Sequence, residues 1–230
     1  MKTIGLIGGM SWESSALYYR ILNEQVKARL GGLHSAKCII YSVDFEEIER
    51  YQKQGEWDKA AQVLANAAKS IQLAGADFVM ICTNTMHKVA QDIAEQITIP
   101  LLHIADMTAD AILTEGIKTI GLLGTRYTME QEFYKSRLEQ KGIQVLIPEE
   151  DDRHIVNQVI YDELCLGQIK QNSKLQYKNI IEKLVLAGAE GIILGCTEIG
   201  LLVKQEDATV PLFDTTAIHA KGAVDVALRK

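Results

Sequence analysis

One short segment occurs twice. Leu73-Ala74-Gly75-Ala76-Asp77 returns as Leu186-Ala187-Gly188-Ala189-Glu190, a shift of 113 residues. Upstream of it, Ile4-Gly5-Leu6-Ile7-Gly8 returns as Ile120-Gly121-Leu122-Leu123-Gly124 at a shift of 116. Downstream, Ile99-Pro100-Leu101-Leu102 returns as Val210-Pro211-Leu212-Phe213 at a shift of 111. The three matches keep their order, and the offset drifts only as loop insertions would make it drift. The chain therefore reads as a duplicated unit, and 230 residues are enough for the copies to bury cores without disulfide or metal staples.

Within each copy, short Val/Ile/Leu-rich runs alternate with longer segments of helical period. Strands are expected at 3–8, 38–43, 78–81, 100–104, 119–123, 143–147, 191–194 and 211–213. Helices are expected at 12–30, 59–73, 86–95, 109–114, 129–140, 152–164, 176–187 and 217–228. Strands apolar on both faces and separated by helices indicate a parallel sheet. The fold class is α/β: two pseudo-symmetric lobes, each with a roughly four-stranded parallel sheet flanked by helices. The N-terminal lobe is expected to comprise 1–98 plus 215–230 and the C-terminal lobe 99–214, with an active-site cleft between them.

Composition removes several function classes. With 47% hydrophobic residues and 24 Lys+Arg against 30 Asp+Glu, a net charge of −6, the chain is neither disordered nor fibrous. It has no Lys/Arg block that would grip nucleic acid. No apolar run approaches the ~18 residues of a membrane span. Glu13 arrives too early for a secretory signal, and Cys38, Cys82, Cys165 and Cys196 form no CxxC pair. Reduced thiols and a cytoplasmic location are the expectation.

Sites of open parallel sheets form beyond the carboxyl ends of strands. Here those ends are Cys82-Thr83-Asn84-Thr85 and Gly195-Cys196-Thr197-Glu198. The 113-residue shift carries Thr83 onto Cys196 and Cys82 onto Gly195. Residues so related would stand on opposite walls of one cleft, as racemisation or epimerisation of a tetrahedral carbon requires. A thiolate is a competent base when its pKa is lowered, and the amides of a following helix start are expected to lower that of Cys196. Gly195 admits a close backbone approach, while Thr197 and Asn84 are suited to a substrate carboxylate.

Residues 81–87 (Ile-Cys-Thr-Asn-Thr-Met-His) and 192–199 (Ile-Ile-Leu-Gly-Cys-Thr-Glu-Ile) resemble the paired signature motifs of the aspartate/glutamate racemase family. Residues 5–11 and 121–125 resemble that family's other cleft segments, in particular its aspartate racemase branch, and the likeness spans the chain. The resemblance implies a cofactor-independent two-base racemase, a homodimer, acting on a small amino acid such as L-aspartate or L-glutamate. The family's commoner pattern has Cys directly before Asn-Thr, where Thr83 stands here. Cys196 is then the working base and Thr83 a proton relay on the opposite face; a Cys82 thiol bent into the cleft is the rival. Resemblance to an L-preferring branch implies faster turnover of the L enantiomer. Similar aspartate racemases hold the distal carboxylate with an Arg after the second strand and a Lys in the second lobe. Residues 43–48 lack that Arg, and Cys165 stands where the Lys is expected. Arg126 is the replacement candidate, with a surface ion pair as its other reading.

The remaining substrate-binding candidates are Met10, Ser11, Thr85 and Thr125, Ser11 being equally suited to cap a helix. Gly5, Gly8 and Gly9 lack the GxGxxG spacing of a dinucleotide loop. Cys38 and Cys165 read as packing residues, and Trp12 as either pocket rim or packing. His87 either orients a catalytic group or bonds nearby backbone; Glu198 either tunes the thiol or stabilises a helix start. His34, His103, His154 and His219 show no metal-ligand spacing, so no metal site is expected. No cofactor, nucleic-acid or membrane partner is expected either. Two other function classes stay open: a dicarboxylate decarboxylase or cis–trans isomerase of the same superfamily, and a non-catalytic amino-acid-binding protein.

Overall fold

Eight short strands form two separate sheets, and every pairing in both is parallel. The structure is a computed structural model describing residues 1–229. The chain divides into two compact units, Met1–Ile104 joined by the stretch from His219 onward, and Ala105–Ile218. In the first run β1 (Ile4–Gly8), α1 (Trp12–Leu30), β2 (Cys38–Ser42), α2 (Phe45–Gln54), α3 (Trp57–Leu73), β3 (Phe78–Ile81), a 3-10 turn at Thr85–Val89, α4 (Ala90–Ala94) and β4 (Leu101–Leu102). Helix α5 (Ile104–Thr114) leads to β5 (Thr119–Gly124), α6 (Arg126–Glu130), α7 (Glu132–Glu139), β6 (Gln144–Leu146) and α8 (Glu150–Asp162). After a 3-10 turn at Leu164–Leu166 come α9 (Gln171–Leu186), β7 (Gly191–Gly195), α10 (Ile199–Leu202), β8 (Leu212–Asp214) and α11 (Thr215–Leu228).

The strand orders are β2-β1-β3-β4 and β6-β5-β7-β8, one order used twice. The registers carry the duplication to single residues. Ile7 lies beside Ile81 and Leu123 beside Leu194, so a shift of 116 on one strand accompanies a shift of 113 on its neighbour. The first unit ends later than the expected residue 98, because β4 is hydrogen-bonded to β3 (Val79 beside Leu101) and cannot be parted from it.

Alternation along β1 and β3 builds two cores in the first unit. Ile4, Leu6, Phe78, Met80 and Cys82 point to one face, covered by Tyr18 and Leu22 of α1 and by Ala223 and Val224 of α11. Ile7, Val79 and Ile81 point to the other, covered by Leu64, Ala68 and Ile71 of α3. Each wholly buried Leu, Ile or Val side chain contributes about 1.5–3 kcal/mol from removal of apolar surface.

In each sheet the chain leaves the first strand towards one edge and returns on its other side. The gap between β1 and β3, and that between β5 and β7, are topological switch points, where crevices open beyond the strand ends. None of the described helices is long and apolar enough to cross a membrane.

Candidate active site

At the first switch point β1 runs into Gly8-Gly9-Met10-Ser11. Gly9 has φ +92°, and a Cβ there would collide with the carbonyl oxygen of Val43, so the sharp exit of the chain depends on glycine. The Gly9 N–H donates to Ser15 Oγ at 2.8 Å, and Ser11 Oγ accepts from the Ser14 N–H at 3.3 Å as the N-cap of α1. Ser11 and Met10 are both buried, and the capping function expected as one reading of Ser11 is its role in the fold.

The Cys82 N–H still bonds to Ile7 O at 2.9 Å, so the sheet ladder continues one residue past β3. By parity Cys82 shares the face of Phe78 and Met80, fully buried in the apolar cluster under α1 and α11. Burial pushes its thiol far up from its ordinary value. The rival expectation for Cys82 is corrected on this ground: a thiol locked in an apolar core cannot serve as a base. Thr83, next in line, is half-buried and begins the turn. Asn84 and Thr85 follow, buried, at the start of the 3-10 turn.

The Thr83 carbonyl is held from below. His87 Nδ1 bonds to Thr83 O at 2.8 Å, while His87 Nε2 accepts from the Ile104 N–H at 3.2 Å. A nitrogen that accepts carries no proton, so His87 is neutral and donates from Nδ1. His103 packs edge-on against it with centroids 4.5 Å apart, and His219 lies 5.8 Å from it. His219 Nε2 donates to Leu102 O at 3.0 Å, so Nδ1 accepts from the Tyr18 hydroxyl at 2.9 Å. Burial lowers the His219 pKa from 6.5 to about 4. Sequence reading missed this cluster, because residues 87, 103 and 219 meet only through the fold.

At the second switch point Thr125 caps α6, its Oγ1 accepting from the Thr128 N–H at 3.3 Å. A Cβ on Gly195 would lie 2.7 Å from Leu123 O, so β5 and β7 approach as closely as they do because this position has none. Cys196 follows immediately. Its Sγ–H donates to Glu198 Oε2 at 3.1 Å, and Glu198 itself is only 5% exposed. Burial first, then the Glu198 and Cys165 charges and the bond to Glu198, hold the Cys196 pKa well above the ordinary thiol value. The expected lowering by helix-start amides is thus corrected: α10 is only four residues long, and a buried carboxylate opposes a thiolate. Thr197 Oγ1 accepts from Thr216 Oγ1 of α11 at 3.1 Å, which leaves its own proton to donate.

The two switch points are therefore equivalent, with Thr83 and Cys196 at the same station of the same topology. The family model for Asp/Glu/Hydantoin racemase matches residues 7–223. The chain belongs to this racemase family. Among its relatives is a crystal structure from Yersinia pestis, provisionally assigned as an Asp/Glu racemase, 60% identical over the whole of both chains with a TM-score of 0.94. The structure of an aspartate racemase homologue from Pyrococcus horikoshii is 35% identical, again over both full chains, at a TM-score of 0.85. The broad specificity amino-acid racemase RacX of Bacillus subtilis is 26% identical over 175 residues, 74% of each chain. Membership supports amino-acid racemase activity on small substrates.

Against that racemase background, Arg126 is placed otherwise than expected. Its side chain is largely exposed and its Nε donates to Glu130 at 2.9 Å, while its backbone N–H donates to Asn157 Oδ1 at 2.8 Å. It lines an open groove of about 540 Å³ with Glu130, Glu150, Arg153 and Asn157. This is the surface ion pair of its second reading. Among the described residues, no three His, Cys, Asp or Glu side chains group as a metal site.

Proposed function

We propose that this protein racemises aspartate or glutamate without a cofactor, by removing the proton at Cα on one face and returning one on the other. Cys196, as thiolate, serves one face, and Thr83, relaying a proton from water, serves the opposite face. Asn84, Thr85 and Thr197 bind the α-carboxylate, Thr197 with the hydroxyl proton that Thr216 leaves available. Met10, Ser11 and Thr125 shape the surrounding wall. The observation that carries this reading is the register equivalence of Thr83 and Cys196 at the switch points of two like sheets. A duplicated topology that offers one hydroxyl and one thiol at matching stations suits a reaction whose two halves are mirror images.

Chemistry makes the two halves unequal. A thiol is far more acidic than an aliphatic hydroxyl, so Cys196 abstracts and Thr83 relays. The equilibrium constant between enantiomers is one, so kcat/KM for racemisation must be equal in the two directions whatever the residues. The asymmetry shows instead in exchange of the Cα proton with solvent before inversion. The L enantiomer, presenting Cα–H to Cys196, should exchange with retention faster than D.

The test is proton NMR of L-aspartate and L-glutamate, separately, in D₂O with purified enzyme. Deuterium appearing at Cα without carbon loss, accompanied by the D enantiomer, supports the proposal. Carbon dioxide release replaces it with a decarboxylase. Tight binding without exchange at high enzyme concentration replaces it with an amino-acid-binding protein.

A further inference from the structure

We propose that Glu198 is the proton acceptor of Cys196, the two forming a thiol–carboxylate pair in which the thiolate arises by transfer of the Sγ proton to Glu198 Oε2 rather than by its loss to water. The inference deepens the racemase reading and rests on it for the substrate step. The starting point is geometric: Sγ and Oε2 are 3.1 Å apart, within donor range for sulfur, and Glu198 is 5% exposed.

Charge conservation argues for the pair. Simple ionisation of Cys196 beside ionised Glu198 would put two negative charges in one buried place. Cys165 on the 3-10 turn lies near enough to add to the repulsion on the thiolate. Tyr177 of α9, whose hydroxyl donates to Val156 O, and Glu163 belong to the same electrostatic neighbourhood, and neither supplies a positive charge. Proton transfer within the pair avoids the problem. The S–H bond breaks, the electron pair stays on sulfur, and Glu198 becomes a neutral carboxylic acid. The pair carries one negative charge before and after, so the burial that opposes ionisation does not oppose this transfer. The thiolate then takes the proton from Cα, whose electron pair stays on the substrate until the opposite face is protonated. Glu198 then releases its proton to solvent, and the freed carboxylate again accepts the hydrogen bond of the Cys196 thiol. That thiol carries the Cα proton and exchanges it through the same carboxylate; the pair returns to one proton and one negative charge.

Two ionisable groups sharing one proton leave a signature that needs no substrate. So long as the pair holds its single proton, the thiolate fraction is fixed by the internal equilibrium and not by pH. The experiment measures iodoacetamide alkylation of Cys196 by peptide mass spectrometry from pH 6 to 8.5, in the intact protein and in E198Q. In the intact protein the rate should stay within about twofold across this range. In E198Q, which keeps shape and removes the titration, it should climb about tenfold per pH unit, as a lone thiol does. Cα exchange should fall about 100-fold in E198Q and recover in part in E198D, with KM changed much less than kcat. Cys82, wholly buried, reports unfolding through its own alkylation, and E198D is measured alongside should E198Q unfold. A tenfold climb per pH unit in the intact protein, parallel to the variant, overturns the pair. So does undiminished exchange in E198Q. If the intact protein exchanges no amino acid, the racemase reading falls while the alkylation profile still decides the pair.

Discussion

The turn after β3 and the turn after β7 are built on one topology and held by opposite means. After β3 the backbone is braced: the Thr83 carbonyl bonds to a neutral His87, which is itself fixed by the Ile104 amide and packed against His103. The histidine acts on this turn through main chain, at the Thr83 carbonyl. After β7 the coupling is through side chains, with the Cys196 thiol on the Glu198 carboxylate and the Thr197 hydroxyl on Thr216. The residue before each site differs for the same reason. At the first, Cys82 fills the core below α1, whereas Gly195 lies where a Cβ would stand 2.7 Å from a neighbouring carbonyl. The two turns share a scaffold and differ in their side chains: one is braced through main chain, and the other, on the proposed reading, supplies a proton that can move.

Removing the moving part should have the largest effect. Cys196→Ala should lower deuterium incorporation at Cα of either enantiomer about 10³-fold, since no other base stands at that station. Circular dichroism should show the fold unchanged. Making the two turns alike is the sharper experiment. Thr83→Cys places a second thiol at the equivalent station, and exchange with retention from the D enantiomer should rise about tenfold relative to exchange from L. If D-exchange stays flat in Thr83→Cys while the variant remains folded, the equivalence of the two stations has no chemical meaning.

The braced turn carries its own liability at low pH. His219 lies in the cluster below Thr83 and is buried neutral, with a folded-state pKa of about 4 against 6.5 when unfolded. The unfolded chain therefore binds the proton more readily. Stability is unaffected above about pH 6.5, declines as pH falls from there to about 4, and then levels off. The total loss from this group is about 3 kcal/mol. His219→Asn removes the titration, so denaturant midpoints measured at pH 7 and pH 4.5 should converge relative to the parent. An unchanged pH dependence in that variant would place the acid sensitivity elsewhere.

Much of this was legible in the sequence. The eight strands among the described residues occur where short apolar runs stand between helical segments, and the central strands β1, β3, β5 and β7, buried along nearly their whole length, leave little room for polar residues. The helix over 45–54 was missed, since only Phe45, Ile48 and Tyr51 mark its inner face. Its signals are the ends, Asp44 capping through the Glu46 amide and Gly55 in the left-handed conformation. The segment expected as one helix from 129 to 140 is two, broken where Gln131 adopts extended backbone. At the site, the 113-residue shift aligned Thr83 with Cys196, yet the ionisation of Cys196 was read with the wrong sign. A sequence shows that Glu198 lies two residues away; only the folded turn shows that its carboxylate points back at the sulfur.

The smallest effect belongs to the groove on the second unit. Arg126 is 72% exposed in its side chain and paired with Glu130, a carboxylate also held by Arg153 at 3.0 Å. Both arginines lower the pKa of Glu130, against the pull of its partial burial. Removal of Arg126 leaves Glu130 still paired, so Arg126→Ala should leave folding intact, exposed ion pairs being of little worth. Recruitment to a distal substrate carboxylate would require Arg126 to abandon Glu130, and a glutamate or aspartate KM within about twofold of the parent is expected. A rise in KM for both acidic amino acids, with kcat and the KM of a neutral amino acid unchanged, would return Arg126 to the substrate and make the second turn the source of specificity as well as of the proton.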